Sequence, residues 1–178
     1  MRTIMAFGAA VAALWIVLAV GLDGKSKEPQ ASAASESTVS DEVMKTAYVE
    51  GLKEENGHYL LTVDYIDWYE GDAAAVMFRE REPDPEVTEP PDGYYIVNDD
   101  PSLATIELPE DTQIRMQIYD RPDEESGADI VPDEPITIEQ FAELVNEGDD
   151  ALINVKDFPY HITFKDGQAQ RIVQQFVP

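Results

Sequence analysis

Residues 46–66 read TAYVEGLKEENGHYLLTVDYI, and the Asn56-Gly57 pair inside this stretch decides how the surrounding chain folds. An Asn-Gly pair between two apolar runs specifies a two-residue type I′ hairpin, because both residues accept positive φ. Counting outward from that turn pairs Leu52 with Leu61 and Tyr48 with Tyr65. Leu52, Tyr59, Leu61, Val63 and Tyr65 then share one face, while His58, Thr62 and Asp64 share the other. A second turn of this kind, Asp166-Gly167, joins PYHITFK to QAQRIVQQFV and makes a closing hairpin with Tyr160, Ile162 and Phe164 on one face. The apolar Phe176 and Val177 at its end predict a packed terminus, with Phe176 buried beside Ile162 or Leu61.

Two helices fit between the hairpins. Asp72 is a candidate N-cap for AAAVMFRERE, which stops at Pro83 and Pro85. Thr137 with Gln140 forms a capping-box pattern, followed by Ile138, Phe141, Ala142 and Val145 at helical spacing and by Gly148 as C-terminal cap. Strands fit at 94–98, 103–108 and 113–119, and residues 82–93 and 120–135 read as acidic, Pro-rich loops. The order of elements predicts an α+β fold with a mainly antiparallel sheet and two short helices. Seven short strands could curl into a partly open, OB-like barrel.

The stretch PPDGYYIVNDD (90–100) reads as turn, strand and strand end. Its alternation turns one of Tyr94 and Tyr95 to the core and the other outward, and Asn98 is placed for a local Asx-type bond that ends the strand.

The chain has 178 residues and no cysteine, so disulfides, thiolate metal sites and cysteine nucleophiles are excluded. Its 37 acidic residues against 12 basic ones give a net charge of −25. That field repels nucleic acid and anionic membrane surfaces and favours cations and basic partners. Residues 4–22, IMAFGAAVAALWIVLAVGL, carry no charge and follow Arg2. Residues 1–24 therefore read as a signal peptide or membrane anchor, with Ala31-Ser32-Ala33 offering a cleavage site near Ala33. Residues 25–42, KSKEPQASAASESTVSDE, read from their composition as a disordered Ser/Ala/Glu tether, which predicts a single domain over 43–178. The location these features imply is extracytoplasmic, with contact to the membrane through the N-terminal segment alone.

Catalytic motifs do not emerge. His58 and His161 have no second histidine at helical spacing, and G-x-S-x-G, Walker A and G-x-G-x-x-G patterns are missing. Carboxylate pairs such as Asp64/Asp67 and Asp99/Asp100 arise in so acidic a chain by composition alone. A small glycan hydrolase is the alternative, and it needs two carboxyls roughly 5–10 Å apart beside Trp68 or Tyr95. The candidate binding residues are Trp68, Tyr95 and Asp99, the outward aromatics with an adjoining acid. For a cation the candidate is calcium at residues 120–129, DRPDEESGAD, through Asp120, Asp123, Glu124 and Asp129. This segment lacks the order of ligands of an EF-hand, and no other cofactor is indicated.

Three segments, DWYEGDAAAVMFRE (67–80), PPDGYYIVNDD (90–100) and PYHITFKDGQAQRIVQQFVP (159–178), together resemble a family of uncharacterised small exported proteins of Gram-positive bacteria. The residues that carry the resemblance are Trp68, Gly71, Ala74, Tyr94, Tyr95, Ile96, Asn98, Phe176, Val177 and Pro178. His161 departs from it, standing where an aromatic is usual. So does the lack of a lipidation cysteine, which some members of that family have. The resemblance implies an exported protein and the same domain boundary, and it implies no activity. The function these readings predict is a non-catalytic binding or structural module of the cell envelope, with an envelope protein, a wall polymer or a cation as its partner.

Overall fold

A computed structural model describes residues 41–82, 86–121, 129–148 and 151–178; the proposed signal or anchor segment and nearly all of the tether lie outside them. The Asn56-Gly57 hairpin forms as the sequence predicts, with φ of 54° and 80° at the two turn residues. It joins β1 (Glu42–Glu55) to β2 (His58–Glu70). The chain continues through α1 (Gly71–Arg81), β3 (Tyr94–Val97), β4 (Leu103–Leu108), β5 (Gln113–Met116), β6 (Glu134–Ile136) and α2 (Ile138–Glu147). A 3₁₀ turn (Val155–Asp157) precedes the closing hairpin of β7 (Pro159–Lys165) and β8 (Gln168–Gln174).

The fold is mixed α+β, with eight strands in one mostly antiparallel sheet of order β3-β2-β1-β7-β8-β5-β6. β3 and β4 both run antiparallel to β2, one after the other along it. Among the described residues the β5–β8 ladder alone is parallel. The sheet curls until β4 lies near β8, but no ladder joins them, so it stays open and does not close into a barrel.

The inner face of the curl carries the core. Ala47, Val49, Leu61, Val63, Tyr160, Ile162 and Ile172 are almost wholly buried there, and α2 adds Phe141 and Val145. Each of the Val, Leu, Ile and Phe side chains among them contributes roughly 1.5–3 kcal/mol on burial. The Thr137 hydroxyl caps α2 by accepting the Gln140 N–H at 3.2 Å.

Several local expectations are corrected. Tyr48 pairs with Asp64, not Tyr65, because the register shifts by one between Val49 and Gly51 and leaves Glu50 as a bulge. An inserted residue of this kind is invisible to counting from the turn. Asp72 does not cap α1. β2 runs straight into the helix, the corner is turned by Gly71 at φ 55°, and Glu70 stands at the N-cap without a side-chain bond. Asp72 lies instead in the first turn, where the helix dipole favours its charge. β6 takes the last two residues of the expected acidic loop and Ile136 beyond it, since its pairing with β5 is a tertiary contact that three residues of sequence do not announce. Phe176 is not in the core: it is part-buried and stacks on Phe158 at 6.3 Å, while Gln174 takes the fully buried position.

Candidate functional site

The outer face of the sheet holds the most distinctive cluster of side chains. Alternation along β2 sends Thr62, Asp64, Ile66 and Trp68 to this side, and both helices pack on the other side. Trp68 stacks on Tyr94 of β3, with ring centroids 4.6 Å apart and planes 12° from parallel. His161 of β7 meets the same indole edge-on at 5.7 Å. The imidazole is fixed in place. Its Nε2 lies 3.3 Å from Gln175 Oε1 and its Nδ1 lies 3.0 Å from the Thr46 hydroxyl. The Gln175 amide is oriented by its own bond to the Phe176 carbonyl at 2.9 Å. The Gln175 oxygen can only accept, so His161 donates to it from Nε2, while the Thr46 hydroxyl, able to donate or accept, partners Nδ1.

Tyr48 and Asp64 continue this surface. Asn98 donates to Asp64 Oδ2 at 2.6 Å, and Asp64 Oδ1 is buried with no partner. The Trp68 Nε1–H is likewise buried and unpartnered. The Tyr48 hydroxyl is pushed above the ordinary tyrosine range, by burial first and then by Tyr94, Asp157 and Asp64. Asn98 thus makes a bond across the sheet and not the expected local one; Asp100 makes the local bond, accepting the Ser102 N–H at 3.0 Å.

Beside Trp68 the sheet splits. β1 and β2 are paired as far as Thr46 and Ile66. Upstream of Thr46, β1 continues to pair with β7, and downstream of Ile66, β2 pairs with β3. The strands diverge around a notch of about 530 Å³, walled by Met44, Lys45 and Thr46 on one side and by residues from Tyr65 to Tyr69 on the other.

The structure does not bring the three expected binding residues together. Trp68 is on the outer face, whereas Tyr95 packs edge-on against Phe78 of α1 at 5.6 Å and donates to Glu82 at 3.2 Å. Asp99 is engaged by Arg81 in a two-pronged bond of 2.9 and 2.6 Å, which lowers its pKa. Tyr94 and Tyr95 do lie on opposite faces, but both are part-buried, so neither is simply inside or outside. Asp67 points away from the face that carries Trp68, and Asp64 is bonded to Asn98; these acids do not flank the indole as a hydrolytic pair.

Of the calcium candidates, Asp123 and Glu124 lie outside the described residues. Asp120 accepts the Ile153 N–H at 3.2 Å and that of Leu152 as well, and Asp129 contributes its carbonyl to Arg121 at 2.7 Å. Glu139, Glu143 and Glu147 line a neighbouring groove along α2. Among the described residues no three acids or histidines converge closely enough to hold a metal ion.

Sequence reasoning missed His161 and Thr46 as neighbours of Trp68, and Tyr48 as a neighbour of Asp64 and Tyr94. The signal was the side-chain alternation of the long hairpin, which the bulge at Glu50 displaces by one residue on β1. Comparison with protein-family models, with curated proteins and with solved structures finds no match for this chain.

Proposed function

We propose that this protein is a non-catalytic binding module of the cell envelope, held outside the cytoplasm, and that it takes its partner on the outer sheet face around Trp68. The observation that carries this reading is the stacked, partly exposed Trp68–Tyr94 pair on a face that neither helix covers. Aromatic platforms edged by a few fixed polar groups are the usual makings of a recognition surface. The apolar segment at 4–22 and the polar tether support the location, and the charge of −25 favours a protein or neutral polymer over nucleic acid.

Full-length protein, incubated with envelope material with and without calcium, tests the reading. Binding should survive mutation of the distant Glu139→Gln and be lost in Trp68→Ala and Tyr94→Ala. Equal retention of wild type and both aromatic variants would remove this face as the binding surface. Recovery of the intact chain in the soluble cytosolic fraction would overturn the location.

A further inference from the structure

We infer that the notch between β1 and β2 accepts an extended, basic peptide as an added β-strand; this rests on the binding role proposed above and names the class of partner. The inference comes from the hydrogen-bond parity of the two walls. In an antiparallel ladder the backbone groups of successive residues point alternately to one neighbour and the other. Counting from the two-residue turn at Asn56-Gly57, the even-numbered residues of β2 point toward β1. Counting from the Asp166-Gly167 turn, Phe164, Ile162 and Tyr160 point toward β1, where they meet Val43, Lys45 and Ala47. The even-numbered residues Glu42 and Met44 therefore direct their N–H and C=O away from β7, into the notch. Trp68 and Glu70 do the same from the other wall. The Gly71 N–H bond to the Gly93 carbonyl at 3.1 Å extends the β2–β3 ladder along the odd-numbered residues, which agrees with this count.

Carried past Thr46↔Ile66, the β1–β2 register would pair Met44 with Trp68. The divergence of the strands leaves both sets of backbone groups facing a gap. Open strand edges recruit extended peptide, with affinity from main-chain bonds and selectivity from side-chain surroundings. The surroundings here are apolar and acidic. Met44 is 63 % exposed and Val43 50 % exposed. Asp67 lines the notch, and the exposed Asp41, Glu42 and Glu70 adjoin its two walls along the chain. Lys45, the one cation in this group, holds its ammonium 4.8 Å above the Tyr65 ring. The complementary occupant is a strand that alternates apolar with cationic residues.

The test uses the full chain in mild detergent and a labelled synthetic peptide of alternating lysine and valine, read by fluorescence anisotropy. A second peptide of the same composition carries N-methyl groups on the amides of one edge. The unmodified peptide should bind, and the N-methylated one should bind about tenfold or more weakly, as expected for lost main-chain bonds. Met44→Pro removes an N–H that faces the notch and leaves the β7 ladder whole, so it should weaken the unmodified peptide by a similar factor with an unchanged melting temperature. Equal binding of both peptides would mean charge attraction alone and would overturn the inference, as would no binding of either. Concentration-dependent self-association that Met44→Pro abolishes would assign the notch to a second copy of the chain, and the inference would fall. These results are independent of the Trp68→Ala comparison on envelope material, so either reading can fail without the other.

Discussion

Gln174 holds Ile118 in place: its fully buried side-chain oxygen accepts the Ile118 N–H at 2.9 Å and the Gln117 N–H at the same distance. This bond takes over where the parallel β5–β8 ladder ends, which is why β5 stops at Met116 while the chain beyond it stays buried. Gln174→Leu keeps the volume but leaves two N–H groups without an acceptor. We expect a loss of about 3 kcal/mol, since an orphaned buried donor costs roughly 1–3 kcal/mol. Urea denaturation measures it, and a loss below about 1 kcal/mol would show that water replaces the amide.

The chain terminus gives a graded expectation. Phe176 is part-buried against Phe158, and the Gln175 N–H bonds the Pro159 carbonyl at 2.7 Å. Phe176→Ala should therefore cost only about 1–2 kcal/mol, well under the ~3–5 kcal/mol of a core phenylalanine. Removal of residues 174–178 takes away Gln174 as well and should abolish the cooperative thermal transition. A truncated chain that melts at the wild-type temperature would contradict this.

Alkaline pH should unfold the domain through Tyr160. Burial holds its hydroxyl far above the ordinary tyrosine range, and the hydroxyl donates to the Val155 carbonyl at 2.9 Å. The folded pKa lies above the unfolded one, so the stabilisation is complete below about pH 10 and falls as pH rises past that value. Tyr160→Phe should be about 1 kcal/mol less stable at neutral pH, from the lost bond, yet should decline less steeply above pH 10. Parallel alkaline curves for the two proteins would exclude Tyr160 as the group responsible.

Gly57, at φ 80°, sits where a side chain meets its own carbonyl. Gly57→Val should destabilise the hairpin by roughly 1–2 kcal/mol. Since nothing else lies within 4 Å of that position, the cost is backbone strain alone. Chemical denaturation of the variant checks it, and an unchanged midpoint would mean the turn is not type I′.

How much of this was legible in the sequence follows from what is local. The two Xaa-Gly turns, the Thr137 cap and the inner-face residues Leu61, Val63, Tyr160 and Ile162 are set by neighbours in the chain, and pattern reading finds them. The bulge at Glu50, the parallel β5–β8 ladder, the Asp64–Asn98 bond and the notch depend on partners remote in sequence. The candidate site suffers most from this. Trp68 was recognisable as a surface aromatic, but Tyr95 and Asp99 turn to the helix side, and the residues that do join Trp68 come from β1, β3 and β7.

β1 pairs with β2 through a local turn but with β7 across most of the chain; Thr46 and His161, bonded between them, are 115 residues apart. The two hairpins can each form within microseconds, while bringing them together requires closure of the long intervening segment. The docking of the first hairpin on the last is then the slow event in folding. Until β7 and β8 have been made, β1 has one neighbour and α2 has no complete surface to cover. The core, which draws on Tyr160, Ile162, Ala169 and Ile172 of the last hairpin, therefore closes only after the whole intervening segment has been made.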